Sequence, residues 1–126
     1  MTDHTLIARA LFDSFQAGDI ETARRLCHED FAGSQNGGGA MNRDGLLGFV
    51  NAVKAKVPDF RYEDIECAAT ADGFVEEHTI KGSLPGGEEL NLRLCVVASI
   101  KDGQVHTVRE YVDTARAIGL AKALAG

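Results

Sequence analysis

From Leu6 to Phe15 the apolar residues Leu6, Ile7, Ala10, Leu11 and Phe15 recur at spacings of three and four, which gathers them on one face of a helix capped by Thr2 or Asp3. Gly18 ends that helix. Asp19 then caps a second one, from Ile20 to about Cys27, with Ile20, Ala23 and Leu26 inward and Arg24 and Arg25 toward water. Residues 33–39 contain four glycines in seven positions and predict a loop, because ordering glycine carries a large entropy cost. Asn42 caps a third helix in which Leu46, Val50, Val53 and Val57 share a face before Pro58 ends the run.

Beyond Pro58 the period changes to that of strands. Turn signals at Asp72-Gly73, Pro85-Gly86-Gly87 and Asp102-Gly103 separate four strands, at about 60–70, 74–83, 89–100 and 104–112. Connections this short make antiparallel hairpins, since a parallel return needs a crossover of about a dozen residues. Asp113 or Thr114 caps a short terminal helix with Ile118, Ala121 and Leu124 on its apolar side. Three helices followed by a four-stranded meander predict a single α+β domain over residues 1–126. The helices cover one face of a sheet whose twist curls it, leaving a concave pocket between the layers.

Composition narrows the function classes. With 126 residues, 44% apolar and 25% charged, the chain has the make-up of an ordinary globule with one core. Its 13 Lys+Arg against 19 Asp+Glu, a net charge of -6, weigh against partners that neutralise phosphates, so neither nucleic acid nor an anionic membrane is expected. Cys27, Cys67 and Cys95 are odd in number and far apart, which gives neither a disulfide framework nor a CxxC motif, and they read as small core residues. Met1-Thr2-Asp3-His4 lacks the basic segment of a secretory leader and no apolar run approaches the ~20 residues of a membrane span, so a cytoplasmic location is expected.

Several strings carry a family likeness: Leu11-Phe12 through Phe15-Gln16-Ala17-Gly18-Asp19, then Leu26-Cys27-His28-Glu29-Asp30-Phe31, and Asp102-Gly103-Gln104-Val105 leading to Arg109-Glu110-Tyr111-Val112-Asp113. With the order of elements, they resemble the nuclear transport factor 2-like superfamily, in particular its SnoaL-like polyketide cyclase and ketosteroid isomerase-like branch, and the limonene epoxide hydrolases. The resemblance covers almost the whole chain. It implies a cone with a deep apolar pocket, usually dimeric, in a superfamily that hosts cyclases, isomerases, dehydratases and epoxide hydrolases. Fold alone therefore decides little, and the chemistry has to be read from polar residues that can enter the cone.

In the strand 74–83, alternation sets Phe74, Glu76, His78 and Ile80 on one face, and their apolar bulk places that face inward. The resemblance puts an Arg and an Asp of the epoxide hydrolases where Glu76 and His78 stand, so epoxide hydrolysis is set aside. In the last strand Val105, Thr107, Arg109, Tyr111 and Asp113 share a parity, and in the relatives the closing acid faces the pocket. That places Asp113 roughly 10 Å from His78 across the concave face. Histidine titrates near neutrality and a carboxylate orients its ring, so His78 and Asp113 form a candidate catalytic acid/base pair, with Tyr111 as a hydrogen-bond donor to a substrate oxygen. Phe12, Phe15 and Phe31 are candidate pocket walls, and Asn36, in the glycine-rich loop that the relatives hold near the pocket mouth, is a candidate ligand contact.

The same residues have plainer readings. Asp113 serves equally as a helix cap, and His78 as a sheet residue bonded to Glu76 or to a neighbouring strand. On an outward face Glu76 is merely solvated. The glycine-rich loop follows a helix and lacks the lysine of a phosphate loop, and the tyrosine and acid of the ketosteroid isomerases have no counterparts. No His/Cys/carboxylate group has metal-ligand spacing and no serine sits in a nucleophile elbow, so no metal and no cofactor are expected. The leading expectation is cofactor-free proton transfer in a hydrophobic carbonyl compound by a homodimer. The rival is a non-catalytic binding or dimeric interaction domain of the same fold.

Overall fold

In the computed structural model, which describes residues 3–126, α1 (His4–Ala17) starts at Asp3, whose carboxylate accepts from the Thr5 N–H and satisfies a free donor of the first turn. The alternative cap, Thr2, lies outside the described residues. Gly18 closes α1 in the left-handed region, at φ 71°, where a side chain is disfavoured. Asp19 opens α2 (Ile20–Leu26) immediately by accepting from the Thr22 N–H. The inward face of α1 is turned from the expected one: Ile7, Ala8, Leu11, Phe12 and Phe15 are buried, whereas Leu6 is 65% exposed.

The segment after α2 corrects the loop expectation. Cys27–Gln35 form a strand, β1, that pairs in parallel with the last strand, Ala32 opposite Thr107 through Gln35 opposite Glu110. Its alternation is broken by a register shift between Cys27 and Ala32, and it ends in glycine and polar residues, so it carries no period-two signature. Gly33 is needed there because a Cβ would lie 3.0 Å from the Phe31 ring. The turn proper begins at Asn36, at φ 51°, and the chain returns so that Met41 pairs with Gly33. Asn42 then caps α3 (Arg43–Lys56) through the Gly45 N–H at 2.8 Å.

The remaining strands, β2 (Arg61–Ala69), β3 (Gly73–Ser83), β4 (Glu89–Lys101) and β5 (Gln104–Val112), form the expected antiparallel meander. With β1 the sheet is five-stranded and mixed, ordered β1-β5-β4-β3-β2. Leu90, Leu92, Leu94, Val96 and Ala98 of β4 point to the core, and α1 packs on β2 and β3 while α3 packs on β1. The final helix, α4 (Ile118–Ala125), begins after a turn and has no side-chain cap. Asp113 instead accepts from the Ala115 N–H within that turn. Among the described residues no helix is long and apolar enough to cross a membrane.

One irregularity controls what β5 presents. Ile100 pairs with Val105 but Ser99 pairs with Thr107, which leaves His106 as an extra residue, a β-bulge. An extra residue reverses the parity of everything beyond it. Val105 is fully buried, yet Val108 and Glu110 also face the helices, and Arg109 and Tyr111 face out.

At Gly73 the backbone of β4 leaves no room for a side chain, since a Cβ would stand 2.0 Å from the Ala98 carbonyl oxygen. Gly73→Ala is expected to destabilise the fold by about 2–3 kcal/mol, as overpacking against fixed backbone does. Urea unfolding measures this, and an unchanged midpoint would contradict the close approach.

Candidate functional site

The cone encloses a cavity of about 260 Å³. Its helix side is made by Leu11, Phe12 and Phe15 of α1 and by Val50 and Val53 of α3, and its sheet side largely by Leu92, Leu94 and Val96. These residues follow from the helical spacing of α1 and α3 and from the unbroken alternation of β4. Against this apolar lining stand three ionisable groups, Tyr62 of β2, His78 of β3 and Glu110 of β5.

His78 and its neighbour two residues back, Glu76, are each 1% exposed. The His78 Nδ1–H donates to Glu76 Oε2 at 2.5 Å. A carboxylate only accepts, so this bond fixes a proton on Nδ1 and leaves Nε2 as the free ring nitrogen. Nε2 has no protein partner, and among the described residues no enclosed side-chain nitrogen or oxygen lacks one, so Nε2 borders the open cavity. The ring is held edge-on to Phe12, with centroids 4.8 Å apart, and tilted on Tyr62 at 4.6 Å. The orientation of the imidazole, with one nitrogen held by Glu76, is thus set before any ligand arrives.

The neighbouring groups answer to the same environment. Burial, and then the negative charges of Glu110 and Glu76, push the Tyr62 phenol well above its ordinary value, so it keeps its proton and remains a donor. Cys67 stands opposite Glu76 in the β2–β3 pairing, and burial with that carboxylate raises its thiol to about 11. Burial also raises the Glu110 carboxyl, opposed by a hydrogen bond from the Gln35 side chain and by His78. One cross-strand row, Cys67, Glu76, Val96, Glu110 and Gln35, therefore runs over all five strands of the concave face.

The residues singled out in the sequence divide into two groups. Phe12, Phe15, Phe31 and His78 line the cavity, with Glu76 directly behind His78. Tyr111, Asp113 and Asn36 do not. Tyr111 is 46% exposed on the outer face because the His106 bulge reversed its parity. Asp113 is exposed, bonded to Ala115 and 3.6 Å from the Arg116 guanidinium. Asn36 is occupied by backbone: its amide donates to the Val112 carbonyl and its carbonyl accepts from the Val112 N–H. Sequence reasoning missed Glu110 and Tyr62. Glu110 was set outward by the parity of an unbulged strand, and β2 has its own break between Glu63 and Glu66, which blurs the alternation around Tyr62. Among the described residues no group of three His, Cys, Asp or Glu side chains is arranged to hold a metal ion.

No curated protein sequence matches this chain significantly. Solved structures share its fold. IdmH from Streptomyces antibioticus, a protein proposed as a polyketide cyclase, superposes with a TM-score of 0.82 at 19% identity over 95% of this chain and 99% of its own. A Xanthomonas campestris protein, also proposed as a polyketide cyclase, gives 0.79 at 21% identity over 95% and 96%. AclR from Streptomyces galilaeus, proposed as a hydroxylase, gives 0.81 at 12% identity over 94% and 96%. These likenesses share one architecture among proteins with different proposed chemistries. The SnoaL-like domain model matches residues 8–108, so that match takes in most of α1, all of α2 and α3, the Glu76–His78 pair and the bulge at His106, and the chain belongs to the SnoaL-like domain family.

Proposed function

We propose that the protein moves a proton within a hydrophobic carbonyl compound, without a cofactor, as a cyclase or isomerase does. The carrying observation is the buried Glu76–His78 pair, which points an unpartnered imidazole nitrogen into an apolar, aromatic cavity. In this reading His78 Nε2 takes the proton from the carbon beside the carbonyl, and the electron pair of that C–H bond becomes an enolate. The Tyr62 hydroxyl donates to the enolate oxygen, and the imidazolium, balanced by Glu76, returns the proton to carbon. Asp113 has no part in this scheme, because its carboxylate lies on the surface turn.

A homodimer is part of the same proposal. The outer sheet face sets Tyr111 beside Cys95 and Arg109 beside Val97, and a second copy is the partner that would cover it. Light scattering is expected to give twice the chain mass of 13.5 kDa, and Tyr111→Glu to shift it toward the single chain. A wild-type mass of one chain would refute the dimer.

The proton-transfer step is tested with 2-tetralone, a bicyclic ketone with acidic α-hydrogens, by following deuterium uptake from D2O in NMR spectra. Wild-type protein is expected to accelerate exchange at least about a hundredfold over His78→Gln, the usual worth of a positioned base. His78→Gln keeps a donor toward Glu76 and removes the base. Equal rates would sink proton transfer and leave the binding domain as the reading.

Glu110 has a stability consequence of definite sign. A carboxyl raised in the folded state favours folding fully below its unfolded value of about 4.3, and that contribution is lost as pH rises through the folded value. Glu110→Gln removes the titration. Its melting temperature is therefore expected to gain on that of the wild type between about pH 4 and pH 8, and a difference constant across that range would contradict the buried carboxylate.

A further inference from the structure

We infer that Glu110 is a charge filter: the cavity accepts a ligand whose polar end is neutral or cationic and rejects the carboxylate of the same skeleton. The inference takes the cavity to be the ligand site, as proposed above, and does not depend on turnover.

It rests on the charges around the cavity. Among the described residues no lysine or arginine lines it. Its one basic side chain, His78, is bonded to Glu76, so the pair offers an anion no net positive charge. Tyr62 is neutral as a phenol. Glu110 is therefore the carboxyl that lines the cavity with no basic partner, and its side-chain partner, Gln35, is an uncharged donor. Arg9 of α1, whose charge reaches Tyr62, is bound to Asp13 at 3.1 Å, and Arg109 lies on the opposite face of β5. Low-dielectric walls strengthen any interaction with Glu110, so a ligand carboxylate meets repulsion as well as its own desolvation cost. A carbonyl oxygen meets the Tyr62 hydroxyl instead, and an ammonium meets the Glu110 carboxylate and the aromatic walls.

Three probes with one naphthalene skeleton separate repulsion from simple desolvation: 2-acetylnaphthalene, 2-naphthoate and 2-naphthylmethylammonium, measured by equilibrium dialysis at pH 8. The wild type is expected to hold the ketone and the ammonium at least about tenfold more tightly than the naphthoate. Glu110→Gln is expected to reduce the ketone-to-naphthoate ratio to about threefold or less, and Glu110→Asp, which keeps the charge, to preserve it. Circular dichroism confirms that each variant is folded. Naphthoate bound as tightly as the ketone by the wild type, or a ratio unaltered by Glu110→Gln, would overturn the filter. Retention of neither ketone nor ammonium would overturn the cavity as a ligand site, and with it the filter. Failed deuterium exchange with the ratios intact would remove turnover alone.

Discussion

The bulge at His106 is the constraint on which the composition of the site depends. The residues before it obey the core: Val105 is fully buried. The residues after it obey the cavity, since the extra residue carries Glu110 inward and sends Arg109 and Tyr111 out. In a regular strand the same sequence would put an arginine and a tyrosine into the cone and a carboxylate on its surface. A single backbone insertion thus decides the sign of the charge inside.

The Glu76–His78 pair is the second costly feature. Each member of a pair withdrawn from water pays a desolvation penalty of several kcal/mol, and removing one partner from such a pair typically costs about 3–5 kcal/mol because the other charge is stranded. This fold keeps the pair although Leu92, Leu94 and Val96 show that the neighbouring strand is apolar throughout its inner face. An aliphatic pair would fill the same space without desolvation. What the hydrogen-bonded pair adds is a fixed ring direction with one nitrogen held and the other turned to the cavity, which are properties of a site and not of a core.

Where the local pattern and the tertiary structure agree, the sequence was legible. The caps at Asp19 and Asn42, the left-handed Gly18 and the four meander strands all follow from residue type and period. Alternation leaves both faces of β3 mixed, and the choice of the Glu76 and His78 face rests on the bulk of Phe74 and Ile80 together with the resemblance to the epoxide hydrolases. Three features resisted. β1 owes its existence to a partner distant in the chain, and no local pattern encodes a parallel pairing. The bulge is invisible to period counting because it is one residue long. Asn36, chosen for its place in a glycine-rich loop, spends both ends of its amide on Val112, and hydrogen bonding of that kind is a property of the finished turn.

The parallel pairing of β1 with β5 also bears on the order of assembly. The β2–β5 meander is built from short-range hairpins, whereas β1 pairs with a strand on the far side of the whole meander in sequence. Closing so long a loop costs chain entropy, which the new contacts offset only once the hairpins have formed the edge that receives β1. Until then Phe31 and Gly33 have no strand beside them and the cone stands open along one side. The hollow accordingly depends on the pairing of longest sequence separation in the sheet. The Glu76–His78 pair is local, two residues apart on one strand, whereas the wall that seals the chamber joins stretches as distant along the chain as Ala32 and Thr107.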